Sequence, residues 1–102
     1  MEMGWAGKHI EALVRGEAVE FRPTGGSMRG RINSGQLCCV VPVDATALQV
    51  GDIVLCRVHA KEYLHLIKAI DGRLFQIGNN RGSINGWIDA KSIYGKCVSV
   101  QD

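Results

Sequence analysis

Ser27 is the first residue whose type and setting suggest chemistry. It sits in Thr24-Gly25-Gly26-Ser27-Met28. A nucleophilic serine needs an exposed hydroxyl and backbone N–H groups to hold a developing oxyanion. The two preceding glycines let the backbone approach a substrate without a Cβ in the way. A serine hydroxyl is inert without a base, and the chain has three histidines, His9, His59 and His65. His9 falls in a helical segment and His59 at the end of a hairpin. His65 lies mid-strand in Tyr63-Leu64-His65-Leu66-Ile67-Lys68, where its ring nitrogens need partners. Lys68 is the rival base, because burial can lower the pKa of a lysine. Three positions from His65, it points to the opposite face of a regular strand, so only one of the two can face Ser27. Taken singly, each of these residues reads more simply as structure: a loop serine, a satisfied histidine, a solvated lysine. The chemistry lies in the combination.

The elements that must position them are legible from pattern. Ala6, Ile10, Leu13 and Val14 have helical spacing, and Gly16 stops the helix, which predicts one short helix over Ala6–Arg15. Pro23, Gly25 and Gly26 make Phe21–Ser27 an extended segment entering a tight turn. Strands are predicted over Gln36–Val43, Asp52–Val58, Glu62–Ile70, Arg73–Ile77 and Ser92–Val100. Asp71-Gly72 between two apolar runs is a hairpin signal. Gly78–Gly86 reads as a polar loop, and Asn79–Trp87 within and beyond it is dense in Asn and Gly, with Trp87 plugging the edge of the core. The fold class expected is mainly β: a compact domain of hairpins and a small, partly closed sheet behind one short N-terminal helix. One domain over residues 1–102 is expected, with 1–20 a helical segment and 21–100 the β core.

Composition narrows the function classes. The chain has 102 residues, 46% of them hydrophobic, and a net charge of +2. Arg29 and Arg31 flank Gly30, but no basic block marks a nucleic-acid surface, so no nucleic acid is expected as a partner. No run approaches the roughly 20 apolar residues of a spanning helix, and the N-terminus shows no signal-peptide pattern. A cytoplasmic location is expected. Cys38, Cys39, Cys56 and Cys97 form no C-x-x-C pair and read as small buried hydrophobes in a reducing compartment. No metal and no cofactor are expected.

A series of short boxes connects these signals: Gly25-Gly26-Ser27-Met28, Val50-Gly51-Asp52-Ile53-Val54, Tyr63-Leu64-His65, Gly78-Asn79-Asn80 and Tyr94-Gly95-Lys96-Cys97-Val98. In order and spacing, from about Phe21 to Val100, the series resembles the serine peptidases of the LexA/signal-peptidase type. The resemblance implies that Ser27 is the nucleophile and that its N–H is an oxyanion donor. It also implies that Gly26 and Met28 line the oxyanion and substrate site. His65 stands where bacterial members carry a lysine and where archaeal and endoplasmic-reticulum signal peptidases carry a histidine. The chain departs from the pattern at Gly30 (Pro in the family), Gln36 (Asp) and Asn79 (Asp). The family's late base-supporting Asp would fall at about Ala90, with Asp89 one position earlier. Asp89, or an amide oxygen of Asn79, Asn80 or Asn85, is therefore the expected orienting group for His65.

Two functions follow. The first is a serine endopeptidase with a Ser27–His65 dyad acting on a protein or peptide substrate, with self-cleavage at Ala6-Gly7 as a minor variant. The second is a catalytically inactive module that binds an extended peptide on the same fold, pairing it against a sheet edge.

Overall fold

The computed structural model describes residues 4–102. The expected helix is α1, Gly7–Val14, between Ala6 and Arg15 as its caps. Ala6 at its N-cap, Ile10 and Leu13 are buried as the spacing predicted, but Val14, expected on the same face, is 73% exposed on the last turn. The strands are β1 (Val19–Phe21), β2 (Leu37–Val41), β3 (Ile53–Val58), β4 (Lys61–Asp71), β5 (Leu74–Gly78), β6 (Ile84–Ile88) and β7 (Ile93–Gln101). They form one antiparallel sheet in the order β1-β2-β7-β3-β4-β5-β6. The mainly β architecture is as expected. The sheet does not close into a barrel, and β1 and β6 end its two sides. Neither β1 nor β6 was expected. β6 occupies the second half of the segment read as a polar loop, and Trp87 on it is 44% exposed rather than a core plug.

Period-2 alternation divides the apolar residues between the two faces. Leu55, Leu64 and Leu66 join Ile10, Leu13, Met28, Ile32, Cys38 and Val40 in one cluster. Val54, Cys56, Val58 and Ile67 join Leu48, Phe75, Ile77 and Ile88 in the other. Cys38 and Cys39 point opposite ways, the first buried and the second half-buried. Burial pushes the Cys38 and Cys56 thiols up to about 12, so both are core hydrophobes with little thiolate character.

Two features of the sheet position the site. β3 and β4 are joined by a two-residue turn at His59-Ala60, with φ of 49° and 67°, as a type I′ turn requires. Along the sheet, the register skips one residue at several places. Lys68 is skipped between Ile67 and Ala69 of β4. On β6, Ile77 pairs with Gly86 and Gly78 with Ile84, so Asn85 is the extra residue of a β-bulge. Gly78 makes that bulge possible: a Cβ there would lie 2.5 Å from the Ser83 carbonyl oxygen.

Candidate functional site: Ser27, His65 and Asn85

Between β1 and β2 the chain leaves the sheet as a closed loop. Gly35 N–H donates to the Pro23 carbonyl (2.9 Å), the Arg22 guanidinium to the Gly35 carbonyl (2.8 Å) and Gly25 N–H to Ser34 Oγ (3.3 Å). Met28 and Ile32 are 5% and 4% exposed and fix the tip of the loop in the core. Ser27, one residue before that anchor, stays exposed. Its carbonyl accepts from Asn80 N–H at 3.0 Å, and Asn80 Nδ2 donates to the Arg29 carbonyl at 2.8 Å. The β5–β6 loop is thereby laced to the serine loop. The N–H groups of Ser27 and Met28 donate to no acceptor among the described residues.

His65 is buried on β4, with Nε2 3.1 Å from Ser27 Oγ and Nδ1 2.7 Å from Asn85 Oδ1. The amide oxygen only accepts, so Nδ1 carries the proton and Nε2 presents its lone pair to the serine hydroxyl. That is the tautomer a general base needs. Burial lowers the pKa of His65 below its ordinary 6.5, partly offset by the bond to Asn85, which favours the charged ring. The ring is therefore neutral, and able to accept a proton, at pH 6.5 and above.

Ser27 and His65 lie within hydrogen-bond distance, and of the four orienting residues considered, Asp89, Asn79, Asn80 and Asn85, only Asn85 bonds the ring. The Asp89 carboxylate accepts from Lys91 N–H and caps the short 3-10 turn Ala90–Ser92. Asn80 is engaged with Ser27 and Arg29, and Asn79 Oδ1 accepts from the N–H groups of Arg81 and Ser83. None of the three hydrogen-bonds to His65. Asn85 does, because a bulge residue escapes the strict alternation of its strand and is re-aimed across the sheet. The Asn85-Gly86 pair was the available signal: Gly86 has φ of 148°, and a Cβ there would lie 3.1 Å from His59 Nε2. Of the other bases considered, His9 stacks on Phe21 at 4.4 Å and makes no hydrogen bond to Ser27, and Lys68 sits at the β4 bulge.

A cleft of about 250 Å³ adjoins Ser27, bounded by Met28 and Ile32 on the loop and by Lys61–His65 on β4, with Trp5 at its rim. Met28 lines it as expected; Gly26 does not. Among the described residues, the β4 stretch in this cleft pairs with β3 on one side only, since β5 first pairs at Leu66. In a two-residue hairpin the pair flanking the turn exchanges hydrogen bonds and the pattern then alternates. Val58–Lys61 is that pair, so the N–H and C=O groups of Glu62 and Leu64 point away from β3, into the open side.

Among the described residues no three His, Cys, Asp or Glu side chains converge as metal ligands. Among the described residues no helix is long and apolar enough to cross a membrane. The chain matches no family model, no curated protein and no solved structure.

Proposed function

We propose that this protein is a serine endopeptidase in which Ser27 is the nucleophile, His65 the general base and Asn85 the residue that orients the base. The observation that carries the proposal is the hydrogen-bonded chain Ser27 Oγ–His65 Nε2 (3.1 Å) and His65 Nδ1–Asn85 Oδ1 (2.7 Å). A merely structural histidine needs both nitrogens satisfied, but it does not need an exposed serine at the lip of a cleft. The resemblance to LexA/signal-peptidase-type enzymes supports the same reading, with Asn in place of an acid.

The chemistry follows from the geometry. An extended peptide lies along the open side of β4 and pairs with the free backbone groups of Glu62 and Leu64. His65 Nε2 takes the Ser27 hydroxyl proton as Oγ attacks the scissile carbonyl carbon. The oxyanion of the tetrahedral intermediate is held by the Ser27 N–H. The imidazolium then gives its Nε2 proton to the leaving amine as the C–N bond breaks, leaving an acyl ester on Ser27. Water, deprotonated by His65, hydrolyses that ester and restores the serine. The proposed setting is a reducing compartment, the cytoplasm, with a protein or peptide as substrate; the free state of Cys38, Cys39, Cys56 and Cys97 supports that reading.

The second reading is a peptide-binding module without catalysis. It is favoured by one observation: neutral Asn85, not a carboxylate, stands behind His65. An acylating serine probe separates the two. Mass spectrometry should find the adduct on Ser27 alone, at a rate reduced by about 10²–10⁴ in His65→Ala. No adduct at Ser27, or one formed equally fast without His65, removes the peptidase reading.

A further inference from the structure

Gly26, next to the nucleophile, has two cations beside it. A Cβ on Gly26 would lie 3.7 Å from Arg81 Nη1 and 3.8 Å from Arg29 Nη2. The two arginines come from different segments, the serine loop and the β5–β6 loop. Asn80 holds those segments together through its bonds to the Ser27 and Arg29 carbonyls. Among the described residues the ion pairs are Arg15–Glu17, Arg57–Glu62 and Lys96–Asp52, so no carboxylate neutralises Arg29 or Arg81. Both side chains are exposed, and neither lines the cleft that runs from Ser27 along β4.

Two like charges held together with no counter-ion repel each other. A carboxylate placed between two guanidinium forks relieves that repulsion and accepts from both. The missing side chain at Gly26 leaves room for such a group within reach of both. Building on the peptidase reading, we propose that Arg29 and Arg81 form a carboxylate subsite that selects the peptide. It receives an acidic group of the substrate on the far side of the scissile bond from the segment lying along β4. Cleft and arginine pair then read the chain on either side of Ser27: backbone pairing on one side, negative charge on the other.

The test is direct binding to the full chain carrying Ser27→Ala, so that hydrolysis plays no part. N-acetylated, C-amidated fluorescent peptides carry Glu or Gln at each position in turn, and anisotropy reads their affinities. At one position, or two neighbouring ones, Glu should bind about tenfold more tightly than Gln, as a charge-assisted pair does. High salt should erode this preference. In the added double variant Arg29→Gln/Arg81→Gln it should fall to about onefold, with the thermal midpoint unchanged because both side chains are exposed. A peptide ending there in a free α-carboxylate, against its amide, tells whether the subsite takes a side chain or a chain end. Equal binding of Glu and Gln peptides at every position, or a preference that survives the double variant, overturns the subsite. The same peptides given to the chain with Ser27 intact separate the two proposals. Cleavage without a Glu preference leaves the peptidase reading and removes the subsite. A Glu preference in binding, with no peptide cut, removes the peptidase reading and leaves the subsite.

Discussion

Replacing Asn85 by Asp tests the hydrogen-bond chain at its least conventional member. The amide oxygen fixes the tautomer of His65 but offers no charge to the imidazolium that forms when Ser27 gives up its proton. A carboxylate at the same 2.7 Å contact would. At an effective dielectric of about 20, opposite unit charges about 4 Å apart attract by about 4 kcal/mol. Asn85 is half-buried, so solvent screening and the cost of desolvating the new carboxylate take a share. A net gain of about 1.5–3 kcal/mol for the charged ring remains, the usual range for a hydrogen bond to a charged group. In rate this is roughly a ten- to 150-fold increase in kcat/KM at neutral pH.

The same charge moves the titration of His65 upward, from below 6.5 in the native chain. The assay that reads this without any substrate is the pH dependence of the His65 ring resonances by NMR, in the Ser27→Ala background. The Asn85→Asp midpoint should rise, while Asn85→Ala, which loses the one contact favouring the charged ring, should lower it further. A midpoint unmoved by Asp, in a chain with an unchanged thermal midpoint, would refute the contact between Asn85 and Nδ1 and with it the mechanism.

The remaining predictions are more local. With the pKa of His65 depressed in the fold, the acid limb of kcat/KM should lie below pH 6.5. Stability should fall as pH drops from 6.5 toward that lower value, because the unfolded chain binds the proton first; denaturant melts across this window check the sign. Gly78→Ala drives a Cβ to 2.5 Å from the Ser83 carbonyl and should cost about 1–3 kcal/mol by overpacking, together with activity, since Asn85 depends on that bulge. Ala60→Gly relieves a left-handed non-glycine residue at the β3–β4 turn, where φ is 67°, and should stabilise by about 1 kcal/mol, raising the thermal midpoint by about 4–8 °C. Asn80→Ala releases the serine loop from the β5–β6 loop and should lower kcat/KM roughly tenfold with little change in substrate affinity, measured by steady-state kinetics.

What the sequence disclosed, and what it did not, divides along one physical line. Local signals were reliable: the short helix, the strands that became β3 and β4, and the Asp71-Gly72 turn all correspond to observed elements. Gly72, with φ of 60°, sits at the first central position of that turn. Ser27 and His65, each readable alone as structure, were visible through the ordered series of short boxes that links them. β1 was missed because three residues, Val19–Phe21, are too short to show a period. β6 was missed because Ile-Asn-Gly-Trp-Ile carries Asn-Gly inside a strand, which reads as a turn. For the same reason the sequence left the orienting residue open among Asp89, Asn79, Asn80 and Asn85. Ordinary strand parity is the rule by which residues are placed on faces, and a bulge suspends that rule by one residue. A period-2 reading cannot register such a slip, and it was in this slip that the third member of the site lay.

The bulge also explains how the sheet builds a site from strands that are not neighbours. His65 on β4 and Asn85 on β6 are separated by β5, so a flat, regular sheet would hold them apart. Two things bring them together: β5 gives no side chain at Gly78, where Ile84 of β6 and Lys68 of β4 both crowd the space a Cβ would take, and the register of β6 slips there by the extra residue Asn85, as a bulge does when it re-aims a side chain. The loop that makes this possible, Asn79–Ser83, is the one that bonds the Ser27 carbonyl through Asn80 and brings Arg81 beside Gly26. Orientation of the base, position of the nucleophile and the charge beside it therefore all depend on one short turn. Substitutions in that turn should be non-additive with one another, because each disturbs the same contacts. Asn80→Ala combined with Asn85→Ala should cost clearly less in kcat/KM than the product of the two single losses. A strictly multiplicative double variant would mean that the serine loop and the base are positioned independently, contrary to the bonding observed.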